Sequence, residues 1–182
     1  MSDPWDDLGL LYSHLWTRLA TGAAQSRDPF RLTVLATTGT GGPEARMVAL
    51  RVADGDRAEV EIHSDLRTAK VDALRADSRA ALLFWDPRTQ VQIRLSARLS
   101  VNVADPERWT SIPDAARGNY GTDPAPGTPI AAPDAYERTP RRARFAALRG
   151  AVYRIDAVSL GHDPHRRAVF DGPQMRGRWV AP

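Results

Sequence analysis

Cysteine is absent from this chain of 182 residues, lysine occurs once, and no apolar run approaches the ~20 residues of a membrane-spanning helix. The lack of cysteine excludes disulfides, thiol nucleophiles and thiolate metal ligands. The acidic start (Asp3, Asp6, Asp7) offers neither the basic nor the apolar region of a secretory leader, so a cytoplasmic protein with no membrane partner is expected. With Lys70 alone, arginine carries the positive charge: 25 Lys and Arg stand against 22 Asp and Glu, for a net charge of +3 and a pI of about 9.8. Those arginines are spread from Arg18 to Arg178 and cluster only at 141–144 and 166–167. No helix-turn-helix, zinc-finger or RNP pattern accompanies them, so nucleic acid is not an expected partner. His162 and His165 lack a third ligand, and no metal site is expected. Neither a Ser-His-Asp ordering nor a G-x-S-x-G elbow supports hydrolysis.

What is present fits one globular domain over 1–182, with 42% hydrophobic and 26% charged residues. Trp5, Leu8, Leu11, Tyr12, Leu15, Trp16 and Leu19 recur at helical spacing and predict an amphipathic helix over 5–20, packed on the domain or on a partner. A strand over 31–38 runs into the glycine-rich turn 39–43, which lacks the Lys-Ser/Thr of a P-loop. Strands 45–53 and 58–64 flank Asp54-Gly55-Asp56, a hairpin signal. A short helix over 68–76 follows, then a nearly continuous apolar strand, 79–85. The strand 89–102 gives the cleanest period-two alternation in the chain. Asp105-Pro106 opens a helix carrying Trp109 and Ile112. Residues 113–140 form a long Pro- and Gly-rich loop, of the kind that is functional or mobile. A last strand is expected over Ala151–Val158. Hairpins at this spacing predict a small antiparallel barrel with peripheral helices, mainly β to α+β in class.

The stretch from Arg46 to Lys70 concentrates the chemistry. Basic residues stand at both ends of one strand (Arg46, Arg51), and Arg67 and Lys70 follow the next. Ser64, Asp65 and Thr68 offer hydroxyl groups and N-cap candidates before Val71 and Leu74. Strand end, hydroxyls, helix N-terminus and cations together suit a phosphate.

In order and spacing, Arg46-Met47-Val48-Ala49-Leu50-Arg51, His63-Ser64-Asp65-Leu66-Arg67-Thr68-Ala69-Lys70 and Gln92-Ile93-Arg94 resemble the pyridoxamine 5'-phosphate oxidase-like family of FMN-binding split β-barrels. The similarity spans roughly 28–130, with a fainter echo in 150–182. It implies FMN as cofactor and an obligate homodimer with FMN at the interface, where the Trp-rich N-terminal helix and the 113–140 loop would lie. Arg46, Lys70 and the hydroxyls of Ser64 and Thr68 would hold the FMN phosphate, with Arg67 compensating for Ala69 in the phosphate-binding run. Val48, with Met47 and nearby backbone, would border the isoalloxazine, and Gln92 would donate to its edge. Arg51 would sit near the ring or substrate as a permanent cation favouring the reduced flavin. His63 falls at a strand-end position often aromatic. The implied activity is FMN-dependent oxidoreduction of a small organic substrate. A barrel holding the deazaflavin F420 or haem, and a flavin-storing or sensing module without turnover, stand as alternatives. The substrate-phosphate residues of true pyridoxamine phosphate oxidases are changed here: Ile112 replaces an Arg, His165-Arg166-Arg167 replaces Arg-x-His, and Val169 and Leu160 replace an Arg and a flavin-stacking Trp. Vitamin B6 phosphate is therefore a poor substrate expectation.

Overall fold

The computed structural model describes residues 2–182. Ten strands alternate with four short-to-medium helices: α1 (Leu8–Ala24), β1 (Leu32–Gly39), β2 (Gly42–Asp54), β3 (Glu59–Asp65), α2 (Ala69–Ala76), β4 (Arg79–Asp86), β5 (Val91–Val103), α3 (Pro106–Ser111), α4 (Asp114–Arg117), β6 (Thr122–Asp123), β7 (Glu137–Arg138), β8 (Phe145–Ser159), β9 (Arg166–Asp171) and β10 (Arg176–Trp179). The main sheet runs β10-β9-β8-β3-β2-β1-β4-β5, and β5 pairs back onto β8. That last pairing closes six antiparallel strands into a barrel, which leaves β9 and β10 as an extension from β8.

The alternation in β5 decides which face is inside. Ile93, Leu95, Ala97 and Leu99 are buried in the barrel with Leu35, Leu50, Ile62, Leu82 and Leu148. The turns follow their residue chemistry. Gly42 takes φ +119°, which closes the two-residue loop between β1 and β2. The Asp54 carboxylate accepts from the amides of Asp56 and Arg57, fixing the turn into β3.

The helix α1 is capped by Asp7, whose carboxylate accepts from the Leu10 amide at 2.9 Å. It lays Leu11, Leu15, Trp16 and Leu19 on the barrel. At Gly22 a Cβ would come within 2.6 Å of Phe30, so only glycine lets the helix end approach the start of β1 this closely. Trp5 and Trp16 are each only 5% exposed within the single chain, so the indoles serve its own core and are not left for a partner.

Three strands differ from the sequence expectation. β8 begins at Phe145, well before Ala151, and β9 and β10 extend the sheet where no strand was predicted. Phe145-Ala146-Ala147-Leu148 shows no alternation because both faces are covered. Ala146 and Leu148 join the barrel interior, whereas Phe145 and Ala147 pack outside against Ile112, Tyr120 and Trp109. The 113–140 loop is also less irregular than expected: it holds α4, a 3-10 turn at Gly118–Tyr120 and the two-residue pair β6–β7.

The scattered arginines find a structural use around buried carboxylates, two on the barrel's outer face (Asp156, Glu61) and one at the inward-facing end of β4 (Asp86). Asp156 is clamped by Arg94 and Arg167, Asp86 by Arg18 and Arg88, and Glu61 by Arg108 and Arg149. Each carboxylate is at most 3% exposed, so each needs these donors to remain ionised.

Candidate functional site: a cationic cradle at the barrel split

The hydrogen bonding between β2 and β3 stops short. Their register runs from Asp54–Glu59 to Leu50–Ile62 and goes no further. Beyond it, residues 42–49 of β2 pair only with β1, and His63, Ser64 and Asp65 of β3 pair only with β8. The sheet is therefore split between the first half of β2 and the end of β3, where backbone edges face each other unpaired. At the same place β3 passes into α2 through Leu66, Arg67 and Thr68.

Four predicted residues converge on the split. Arg46 sits on the barrel-facing side of β2, opposite Leu35, and donates to the Thr37 hydroxyl at 2.7 Å. Lys70, in the first turn of α2, donates to Ser64 Oγ at 3.2 Å. Ser64 and Thr68 share a hydrogen bond of 2.9 Å between their hydroxyls. Because the Thr68 hydroxyl is used there and on the Asp65 carbonyl, it does not cap α2, and the first-turn amides of that helix lack a side-chain acceptor. Burial, and then the neighbouring Arg46 charge, hold the Lys70 ammonium below the usual lysine range, with Asp65 acting against them. Arg46 is paired with Glu44, an exposed carboxylate at the barrel rim. Lys70 donates to the Ser64 hydroxyl and forms no salt bridge among the described residues. Two cations, two hydroxyls and an uncapped helix start make an anion cradle, and the donor set fits a phosphate monoester.

The remaining predicted residues lie elsewhere on the chain. Val48 faces the barrel beside the cradle strand, packed against the core. Met47 points outward and is 59% exposed. Arg67 is clamped on Asp65, with Nε to Oδ1 at 3.0 Å, and donates to the Thr122 carbonyl at 2.8 Å, tying down the long loop at β6. His63 lies on the outer face, 2.9 Å from Glu61 and edge-on to Phe145 with ring centroids 4.9 Å apart. Gln92 is opposite Trp85 and Val158, with β1 and β4 between its strand and β2. Arg51 occupies a β-bulge: the register passes from Leu50–Ile62 to Val52–Glu61 and leaves Arg51 without a partner. Bulges re-aim side chains, and Arg51 turns into an outer cavity with Arg31, apart from the cradle.

A family model described as "Pyridoxamine 5'-phosphate oxidase, FMN-binding domain" matches residues 13–103, a span that contains the split and all four cradle residues. The chain belongs to this FMN-binding family. Its members' described cofactor is the phosphate monoester that the cradle's donor set fits. Two curated relatives, each named pyridoxine/pyridoxamine 5'-phosphate oxidase, come from Trichormus variabilis and a Nostoc species. Each is 34% identical over 77 residues, 42% of this chain. The match spans about a third of those relatives' length (35%). Among solved structures, an FMN-binding protein from Nostoc punctiforme, described as pyridoxamine 5'-phosphate oxidase-related, superposes with TM-score 0.71 at 23% identity over all of both chains. PhzG from Burkholderia lata superposes with TM-score 0.74 at 18% identity, over all of this chain and 98% of its own. These structural likenesses establish the split-barrel fold.

The positions where the sequence departs from true oxidases now have surroundings. Ile112 is 5% exposed and packs with Tyr120 and Phe145. Val169 is buried at 2%, and Leu160 is exposed. Arg166 is bound to Asp3 and Asp6, and Arg167 to Asp156. His162 bridges Ser159 at 2.6 Å and Asp3 at 2.8 Å, so both ring nitrogens are engaged. The sequence carries no signal for Thr37, which orients Arg46, or for Arg31, which lines the same cavity as Arg51; Thr37 lies inside β1 and Arg31 just before it, with no motif around either.

Proposed function

We propose that this protein is an FMN-dependent oxidoreductase acting on a small organic substrate, and that it works as a homodimer with the cofactor at the interface. The observation that carries the reading is the cradle: a part-buried Lys70 with no carboxylate partner among the described residues, beside Arg46, Ser64 and Thr68, where the β2–β3 pairing stops. Bound FMN supplies two-electron chemistry. The chain's part is to hold the phosphate with these cations and hydroxyls, and to border the ring with Val48 and the open edge of β2.

The outer face of the barrel supports the proposed dimer. Met47, Val34 and Leu83 stand in one row across β2, β1 and β4, and Met47, Leu83 and Trp85 are all exposed there. Gln92 lies on the same face, beside Trp85. A second copy of this chain seated on that row would exclude water from it and bring its own Gln92 toward a flavin at the split.

A module that stores or senses flavin without turnover is the second reading. It is favoured by the burial of Ile112 and the engagement of Arg166 and Arg167 in ion pairs, which leave no substrate-phosphate grip of the expected kind.

The test is an absorbance spectrum of the protein purified without added cofactor and again after titration with FMN. Bands near about 370 and about 450 nm, lost in the Arg46→Ala, Lys70→Ala double variant, are expected for flavin in the cradle. A colourless protein that ignores FMN overturns the proposal, and an F420 or Soret band assigns the barrel to another cofactor. Steady consumption of NADPH or oxygen excludes the storage reading.

A further inference from the structure

We propose that the flavin site continues past its phosphate end, and that the cleft between α2 and the β1–β2 hairpin holds the adenosine half of FAD. The cleft's role rests on the flavin reading above, with the cradle taking the phosphate nearer the flavin.

The cleft measures about 510 Å³, room for about seventeen waters at liquid density and within the usual range of small-molecule sites. It starts where the cradle ends. Ala69, which lines it, is the first residue of α2 and the chain neighbour of Lys70. Glu44, which also lines it, is the carboxylate that pairs with Arg46. A ligand held in the cradle by its phosphate therefore has the cleft within reach of whatever lies beyond that phosphate. FMN ends there, and FAD does not.

The lining suits a nucleoside. One wall is α2, where Ala69, Ala73 and Ala76 recur at helical spacing on one face and offer methyl groups to the flat side of a purine. The other wall is the hairpin, with the exposed hydroxyl side chains of Thr38 and Thr40. Asp77 is committed to Arg79 at 2.7 Å, whereas Asp72 is held more loosely, 3.5 Å from Arg75. Asp72 is therefore the carboxylate placed to accept from the two hydroxyls of a ribose, and Glu44 joins it once a phosphate takes Arg46. A pyrophosphate at a helix start with a carboxylate on the ribose is the division of labour in dinucleotide sites generally. Charge is matched as well. A phosphate monoester carries about −1.5 to −2 at neutral pH, and the two singly charged phosphates of FAD carry about the same total, so Arg46 and Lys70 balance either flavin. Beyond the cradle the carboxylates of Glu44, Asp72 and Asp77 disfavour any further phosphate.

Calorimetric titration of the cofactor-free protein with FMN and with FAD tests this. FAD is expected to bind once per chain and at least as tightly as FMN. Ala76→Phe, at an exposed position in the cleft, is expected to weaken FAD at least about tenfold and to change FMN less than about twofold. Asp72→Ala is expected to weaken FAD about fivefold, the loss of an exposed charge-assisted hydrogen bond, again with FMN unchanged. Retained FMN affinity shows that both variants are folded. FAD binding weaker than FMN binding overturns the proposal and leaves the FMN reading intact. Tight FAD binding that ignores both substitutions also overturns it, since the adenosine then lies elsewhere. A protein that takes up neither flavin overturns the flavin reading itself, and the cleft loses its ligand with it.

Discussion

Lys70, the single lysine of the chain, directs its ammonium to Ser64 Oγ at 3.2 Å and to no carboxylate. In a protein where the arginines are so widely paired with Asp or Glu, this unbalanced cation is the proposed phosphate end of the site. Lys70→Ala is expected to weaken FMN by about 10- to 100-fold, the worth of one charge-assisted hydrogen bond of roughly 1.5–3 kcal/mol. Flavin fluorescence titration measures it, and unchanged affinity would place the phosphate elsewhere.

The same lysine gives the cofactor-free protein a pH signature. Its folded pKa lies below the ordinary lysine value of 10.5, chiefly through burial. The folded state then holds fewer protons than the unfolded state between the two pKa values, so stability rises with pH through that window. Thermal melts from pH 8 upward are expected to show this rise in the cofactor-free wild type and to lose it in Lys70→Met. Parallel curves for the two proteins would contradict the buried, unpaired ammonium.

Arg67 stands three residues before Lys70 in sequence but faces the other way, clamped on Asp65 and the Thr122 carbonyl. Arg67→Ala is expected to change FMN affinity less than about threefold and stability by about 1 kcal/mol or less, given its partial exposure. Limited proteolysis is expected to cut faster within 124–136, because the loop loses an anchor. A loss of FMN affinity equal to that of Lys70→Ala would show that Arg67 swings to the phosphate instead.

Asp156, 2% exposed, joins β5 to β9 through Arg94 and Arg167. Asp156→Ala is expected to cost about 2–4 kcal/mol by denaturant unfolding, because two guanidiniums lose their buried partner. Hydrogen bonds from Arg167, ahead of those from Arg94, hold the Asp156 carboxyl below its usual range. Its contribution is therefore complete above the unfolded value near about 3.9 and is lost as pH falls through the folded pKa. Wild type is expected to lose stability below about pH 4 more steeply than the variant.

Met47 and Leu83 occupy one exposed row on the outer face of the barrel. Met47→Asp with Leu83→Asp is expected to convert a dimer to a monomer in sedimentation velocity and to weaken FMN in parallel, since charges placed in an apolar interface cost several kcal/mol. A dimer that survives both substitutions would move the interface to another face.

How far the sequence reached depended on what kind of signal each element left. The alternation of β5 and the helical spacing of α1 were legible because one face of each is buried against the barrel and the other is not. Asp-Gly-Asp and Asp105-Pro106 marked their turn and cap because those side chains bond the local backbone. The start of β8 was illegible for the opposite reason: Phe145 to Leu148 is covered on both sides, and a doubly buried strand has no period.

Local chemistry along the chain therefore made the central strands, α1 and the Asp105 cap legible and grouped the candidate phosphate-binding cations, since those residues act within a few positions of one another or at a spacing that a strand and turn fix. Tertiary structure alone decided the rest. The split arises where β2 and β3 stop pairing with each other while β2 keeps β1 on its other edge and β3 keeps β8 on its own, so the two strands part. The meeting of Arg31 and Arg51 depends on a one-residue bulge that re-aims a side chain, and no pattern in the intervening residues announces it. The pairing of arginines with Asp86, Asp156 and Glu61 depends on side chains up to 88 residues apart in sequence. Burial is a property of the closed barrel, and only burial separates a cation held by a carboxylate from one left to find an anion.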